Sequence, residues 1–187
     1  MRRFVLVIAV LLATFAVFAD EPLLKPEPYT ARSANGKFFL RCDSDKNTTT
    51  CFEKTEKGDK KKWTVQDWQE FEFVSNDGVF CILDETKGLV PTDYNADTIL
   101  FKVYKNGKLF DTLTVGRVYE KLILITMNET ASHYKWGQIE NLYGDGILLQ
   151  TNEGKRWYDF GTKTLGDAQK KIAETAAHRR FLLGLEK

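Results

Sequence analysis

The 187-residue chain holds two histidines, His133 and His178, and three cysteines, Cys42, Cys51 and Cys81. A nucleophile needs a base beside it and a metal needs several ligands at set spacing, so these five residues bound the chemistry on offer. His133 stands in Ala131-Ser132-His133-Tyr134, with no Cys or His at ligand spacing. His178 falls near the end of a predicted helix, where the dipole favours a cation. No Gly-x-Ser-x-Gly elbow, His-Glu-x-x-His, phosphate loop or Cys-x-x-Cys occurs. Carboxylates such as Asp84, Glu85 and Asp93 are plentiful. Spacing does not pair them, because a β-protein assembles its sites from distant strands. The expectation is a protein without enzymatic activity, cofactor or metal.

The cysteines carry a second kind of chemistry. The run Phe38 to Asp43, the polar stretch after it and Thr48-Thr49-Thr50-Cys51-Phe52 read as a hairpin. With Lys46-Asn47 as a two-residue loop, Cys42 faces Cys51 in a non-hydrogen-bonded pair, about 4.5 Å between Cα atoms, within disulfide reach. The alternative is two reduced, buried thiols. Cys81, in Val79-Phe80-Cys81-Ile82-Leu83, reads as a core residue.

Trp63, Trp68, Trp136 and Trp157 are the candidates for a sugar- or peptide-binding surface, with core packing as the competing role. Asn47-Thr48-Thr49 and Asn128-Glu129-Thr130 match the N-glycosylation sequon.

The N-terminus bears on compartment. Arg2 and Arg3 precede fifteen uncharged residues, Phe4 to Phe18, and Val17 and Ala19 put small side chains before Asp20. This pattern predicts an export signal over residues 1–19, cleaved before Asp20, and a secreted or periplasmic protein. An uncleaved anchor is the alternative, disfavoured because a spanning helix needs about 20 apolar residues. The remaining 168 residues hold 25 Lys+Arg against 26 Asp+Glu. That balance gives no global pull toward nucleic acid or a membrane surface, so neither is an expected partner.

Residues 20–31, with Pro22, Pro26 and Pro28, read as an extended lead-in to a single β-rich domain over 32–187. Its clearest hairpin is Thr98 to Lys105, Asn106-Gly107, Lys108 to Val115, where Asn-Gly predicts a type I′ turn. That register sets Val103 against Phe110 and Lys102 against Asp111. A second hairpin joins residues 147–152 to 155–160 through Glu153-Gly154, with Leu149 facing Tyr158 and Ile147 facing Phe160. Phe71 to Val74, Val79 to Leu83 and Lys121 to Thr126 are further strands, giving an antiparallel, mainly β fold. The charged run Glu53 to Lys62 reads as a solvated loop. Thr164-Leu-Gly-Asp167 fits a capping box opening a C-terminal helix over about 167–185, with Ala173, Ala177, Phe181 and Leu185 as one stripe.

Three turns look alike: Ser33-Ala34-Asn35-Gly36, Ser75-Asn76-Asp77-Gly78 and Tyr143-Gly144-Asp145-Gly146, each followed by an apolar run. Ser at the first position, Asn or Asp near the third and Gly at the fourth is type I turn chemistry. This pattern is similar to the Ser-Pro-Asp-Gly-Lys turn of WD40-like β-propeller repeats. The stretch Gly154 to Leu165 resembles the outer strand and exit turn of such a blade. The motif proline and the Trp-Asp dipeptide are absent, and the chain has strands for about three blades where a propeller has at least four. The fold is therefore propeller-like repeats, a sandwich or a barrel, with one C-terminal helix. The resemblance implies a binding scaffold.

Two functions follow. The first is an exported module that binds a protein, peptide or glycan through its loops or the C-terminal helix, with self-association as a further partner mode. The second is a small-molecule carrier, since a secreted barrel with a following helix resembles lipocalins. A closed cavity would favour the carrier, open sheets the binding module.

Overall fold

The structure, a computed structural model, describes residues 28–68, 71–119, 126–127 and 133–173. The predicted signal, the predicted strand from Lys121 up to residue 125, Asn128, His178 and the part of the predicted helix beyond residue 173 lie outside the described residues. The fold is mainly β and antiparallel, as the alternating sequence predicts.

Three four-stranded sheets follow one another along the chain. The first runs in order β1 (Tyr29–Arg32), β2 (Phe38–Asp43), β3 (Thr48–Thr55) and β4 (Gly58–Val65). The second comprises β5 (Phe71–Val74), β6 (Phe80–Asp84), β8 (Ile99–Lys105) and β9 (Lys108–Thr114). The third comprises β12 (Gly137–Leu142), β13 (Gly146–Thr151), β14 (Gly154–Asp159) and β15 (Thr164–Asp167). A short helix, α1 (Val115–Val118), follows β9, and a small sheet pairs β10 (Thr126–Met127) and β11 (His133–Lys135) with β7 (Leu89–Pro91), which lies in the connection from β6 to β8. A helix, α2, begins at residue 168.

Strand periodicity explains the order of the layers. Phe38, Leu40 and Cys42 of β2 and Cys51, Trp63 and Val65 point to one side, into a core shared with Phe71, Val74, Cys81, Leu83 and Tyr104 of the second sheet. Alternate residues of β6, Phe80 and Ile82, face the other way, into a core shared with Ile139, Ile147, Leu149, Tyr158 and Phe160 of the third. All five residues of β6 are buried, which is why Phe80 to Leu83 is continuously apolar: a sheet covered on both faces has no side for polar residues. The outer face of the first sheet is covered by its own cations. Phe39 stacks on Phe52 at 5.3 Å, with the Arg41 guanidinium 5.2 Å from the Phe52 ring and Arg32 5.8 Å from Phe39.

Several expectations need correction. The β2–β3 connection is the four-residue loop 44–47, and Cys42 faces Thr49 while Cys51 faces Leu40. Cys42, Cys51 and Cys81 are all free and buried, so the Cys42–Cys51 disulfide does not form. The reason is local: the Asp43 carboxylate accepts the Lys46 N–H at 3.1 Å and its ammonium at 2.6 Å, closing a wider loop with Asn47 at φ +50°. The second hairpin likewise turns at 152–153, with Ile147 opposite Tyr158. The run Glu53 to Lys62 is no loop; it forms the facing ends of β3 and β4. Glu53 opposes Lys60 and Lys54 opposes Asp59, so opposite charges sit directly across the ladder.

Asn106-Gly107 turns as predicted, at φ +50° and +78°. Past Tyr104–Leu109 a bulge leaves Phe110 unpaired and sets Val103 opposite Asp111. Thr164–Asp167 is a strand, not a capping box, and Asp167 caps α2 by accepting the Gln169 N–H at 2.6 Å. The expected lead-in ends in structure, since Tyr29–Arg32 is β1.

Candidate functional site

The repeated turns establish which end of the sheets is free. In the first, the Ser33 hydroxyl accepts the Phe38 N–H at 3.0 Å and Asn35 Oδ1 accepts the Lys37 N–H at 3.0 Å. In the second, Ser75 accepts the Phe80 N–H at 2.9 Å and Asp77 Oδ1 accepts the Val79 N–H at 3.0 Å. Gly36 and Gly78 share φ +68°. The third turn is not a copy. It has no Ser to cap it, Tyr143 donates to the Gly146 carbonyl, and neither Gly144 nor Gly146 is left-handed.

The first two turns hydrogen-bond each other through Asn35 and Asn76, and Gly144 of the third lies against the Asp77 carboxylate. One end of the three sheets is thus closed by short turns. Antiparallel alternation sends every other connection to the opposite end: residues 44–47, 66–70, 85–98, 115–136 and 152–153. The two long connections there carry α1 and the small sheet. Ligand-contacting residues concentrate on such insertions because they vary without disturbing the core.

Trp136 ties this end together. It is fully buried, and its ring stacks on Phe101 at a centroid distance of 6.1 Å. Its indole N–H donates to Thr86 Oγ1 at 2.7 Å, its main-chain N–H donates to Gly88 O at 3.0 Å, and its carbonyl accepts the Tyr119 hydroxyl. The Asp84 carboxylate shapes the facing turn by accepting the Thr86 and Lys87 N–H groups, both at 2.9 Å. Burial pushes the Tyr119 hydroxyl up to about 12. On the small sheet, Tyr94 and Tyr134 meet edge to face at 5.4 Å, and burial raises Tyr94.

Beside this anchor opens a cleft of about 300 Å³, lined by Lys135, Trp136, Gly137, Gln138, Gln150, Thr151 and Asn152. Its exposed wall is mostly apolar; the Gln150 amide donates to Thr151 O and the Thr151 hydroxyl to Gly154 O, both at 2.8 Å, so the cleft suits a ligand with an apolar body and a few polar groups.

The four candidate tryptophans do not form one surface. Trp63 is buried and donates to Gly78 O at 2.7 Å, and Trp136 is the anchor above. Trp68 is half-buried against the first core. Trp157 lies on the outer face of the third sheet beside Tyr143, with the Lys171 ammonium 5.6 Å from its ring. Core packing wins for Trp63 and Trp136 because each indole finds a buried acceptor. Asn47 is exposed, and its Oδ1 accepts the Trp68 N–H at 3.1 Å. Sequence reasoning did not single out Gln138, Gln150 or Asn152. The available signal was the length of the connections around residues 85–98 and 115–136, far longer than the other turns.

Among the described residues, no group of three or more His, Cys, Asp or Glu could hold a metal ion, and no helix is long and apolar enough to cross a membrane. His133 is exposed on β11, opposite Pro91. No protein-family model matches the chain, and no curated protein matches it.

Proposed function

We propose that this protein is an exported, non-catalytic binding module that recognises a protein, peptide or glycan through the end of its sheets opposite the Asn35–Asn76 contact. The observation that carries this reading is the asymmetry of the two ends. Short turns bonded to one another occupy one end; at the other, Lys135 and Trp136, the last residues of one long connection, line a cleft with the start of β12 and the end of β13, and Trp136 is tied to the other connection through Thr86 and Gly88. The resemblance of the Ser33 and Ser75 turns to WD40-like repeats supports a scaffold that presents loops. Export rests on the pattern of the first 19 residues. The lipocalin-like carrier has less support, because open sheets packed face to face enclose no barrel lumen among the described residues.

The test is a glycan array and a peptide array, each probed with purified protein and with a Gln138→Ala, Gln150→Ala, Asn152→Ala variant. Wild type should be retained by a defined subset of ligands and leave them chemically unchanged, and the variant should lose retention. No retention on either array, or equal retention of the variant, would remove the reading.

A further inference from the structure

A second cleft, of about 290 Å³, lies on the flank of the molecule between β9–α1 and β14–β15. Its walls bring together Arg117, Arg156, Lys163, Tyr119, Tyr158 and Leu165. Three cations from separate elements line it, and one of them, Arg117, is paired with the Asp111 carboxylate.

That carboxylate is already engaged. The bulge at Phe110 removes Asp111 from its expected place opposite Lys102, and a bulge re-aims the side chain beside it. Asp111 instead accepts two N–H bonds from Arg117, at 2.8 and 3.1 Å, and the Tyr158 hydroxyl. Arg117 also donates to the carbonyls of Thr112 and Lys163, at 2.6 and 3.2 Å. These two residues satisfy each other and form a rigid wall.

Arg156 and Lys163 differ. Arg156 reaches Glu153 only at 3.4 Å, and its Nε is buried with no hydrogen-bond partner. The Lys163 ammonium is held by the Phe110 carbonyl at 3.1 Å and lies 4.2 Å from the Phe110 ring centre, with no carboxylate in that set. Lys163 also holds φ +57°, a conformation that favours Gly or Asn. A lysine kept there and an arginine N–H buried without an acceptor both cost stability. An anion between them would give the Arg156 Nε–H its acceptor and the Lys163 ammonium a counter-charge, since guanidinium and ammonium bond oxyanions through short charge-assisted contacts.

We propose that this flank cleft binds an oxyanion, carboxylate or sulfonate, carried on a small apolar body that packs on Leu165 and the tyrosine rings. The site shares no charged residue with the cleft beside Trp136, so either reading can fail alone.

Isothermal titration at fixed ionic strength, with benzoate, benzenesulfonate and the uncharged benzamide as probes, tests it. At least one anion should bind, with benzamide weaker by about tenfold or more, the worth of one charge-assisted hydrogen bond. Benzoate alone would assign a carboxylate ligand, and benzenesulfonate alone a sulfonate or sulfate. Arg156→Gln and Lys163→Asn should each weaken anion binding by a similar factor and leave benzamide unchanged. Asn tolerates the left-handed turn, so Lys163→Asn decides the matter if the arginine variant fails to fold. Binding of neither anion, or unaltered anion binding by a folded Lys163→Asn, would overturn the proposal.

Discussion

Asn35 and Asn76 hold each other across two sheets: the Asn35 main-chain N–H donates to Asn76 Oδ1, and the Asn35 side-chain amide donates to the Asn76 carbonyl, both at 2.9 Å. Each sits in one copy of the Ser-x-[Asn/Asp]-Gly turn. The motif therefore does two jobs, capping its own hairpin and joining it to the next sheet. It leaves the opposite end free for the long connections.

The same two turns contain an internal control. Gly36 and Gly78 have the same φ of +68°, but a Cβ at Gly36 meets nothing within 4 Å, whereas one at Gly78 would enter the Phe38 ring. Gly36→Ala should cost about 1 kcal/mol, the penalty for a left-handed residue. Gly78→Ala should cost about 3 kcal/mol, because a packed core resists overpacking. Denaturant unfolding of both variants gives the comparison; equal losses would mean that Phe38 does not pack there.

Acid should find Asp111. Burial pushes its carboxyl up, but the bonds from Arg117 and Tyr158 outweigh that and hold it below the usual carboxylate value. A folded value below the unfolded one, about 3.9, contributes stability above that pH and loses it as pH falls through the folded value. Asp111→Asn should cost about 1–2 kcal/mol at neutral pH, the scale of a charge-assisted hydrogen bond. The difference from wild type should shrink below about pH 4. A gap that stays constant into acid would deny the pairing.

Base should find Tyr119. Its hydroxyl, pushed up to about 12 by burial, compares with about 10 in an unfolded chain. A raised folded value means the contribution is complete below about pH 10 and is lost between there and 12. Tyr119→Phe should flatten this alkaline limb of stability, measured by unfolding at stepped pH. An unchanged slope would place Tyr119 in water.

The thiols give a direct check on register. Cys42, Cys51 and Cys81 are buried, and burial pushes Cys51 up to about 12. None should react with a chromogenic thiol reagent in the native protein, and all three should react in denaturant. A mass two hydrogens short, with linked Cys42 and Cys51 peptides, would contradict the Leu40–Cys51 pairing.

Much of the fold was legible because strand faces alternate with period two. The registers expected for the Cys42–Cys51 and 147–160 hairpins are both off by two residues, a slip that keeps every side chain on its face. Cys42, Cys51, Ile147 and Tyr158 therefore remain core residues although their partners changed. The slips arise from turn chemistry, as in the Asp43–Lys46 closure. The bulge at Phe110 was less legible, since no Gly marks it and its reason lies in Arg117 and Tyr158, six and 47 residues from Asp111. The site was hidden for the same reason: Trp136 and its partner Thr86 are 50 residues apart.

The central claim is that ligand meets the end of the sheets that carries the long connections. Amide hydrogen exchange, with and without a ligand retained on the glycan or peptide array, tests it most directly. Protection should appear in residues 85–98, 133–138 and 150–153 and leave the turns at 33–36 and 75–78 unchanged. Protection confined to those turns, with the connection end unaffected, would contradict the account.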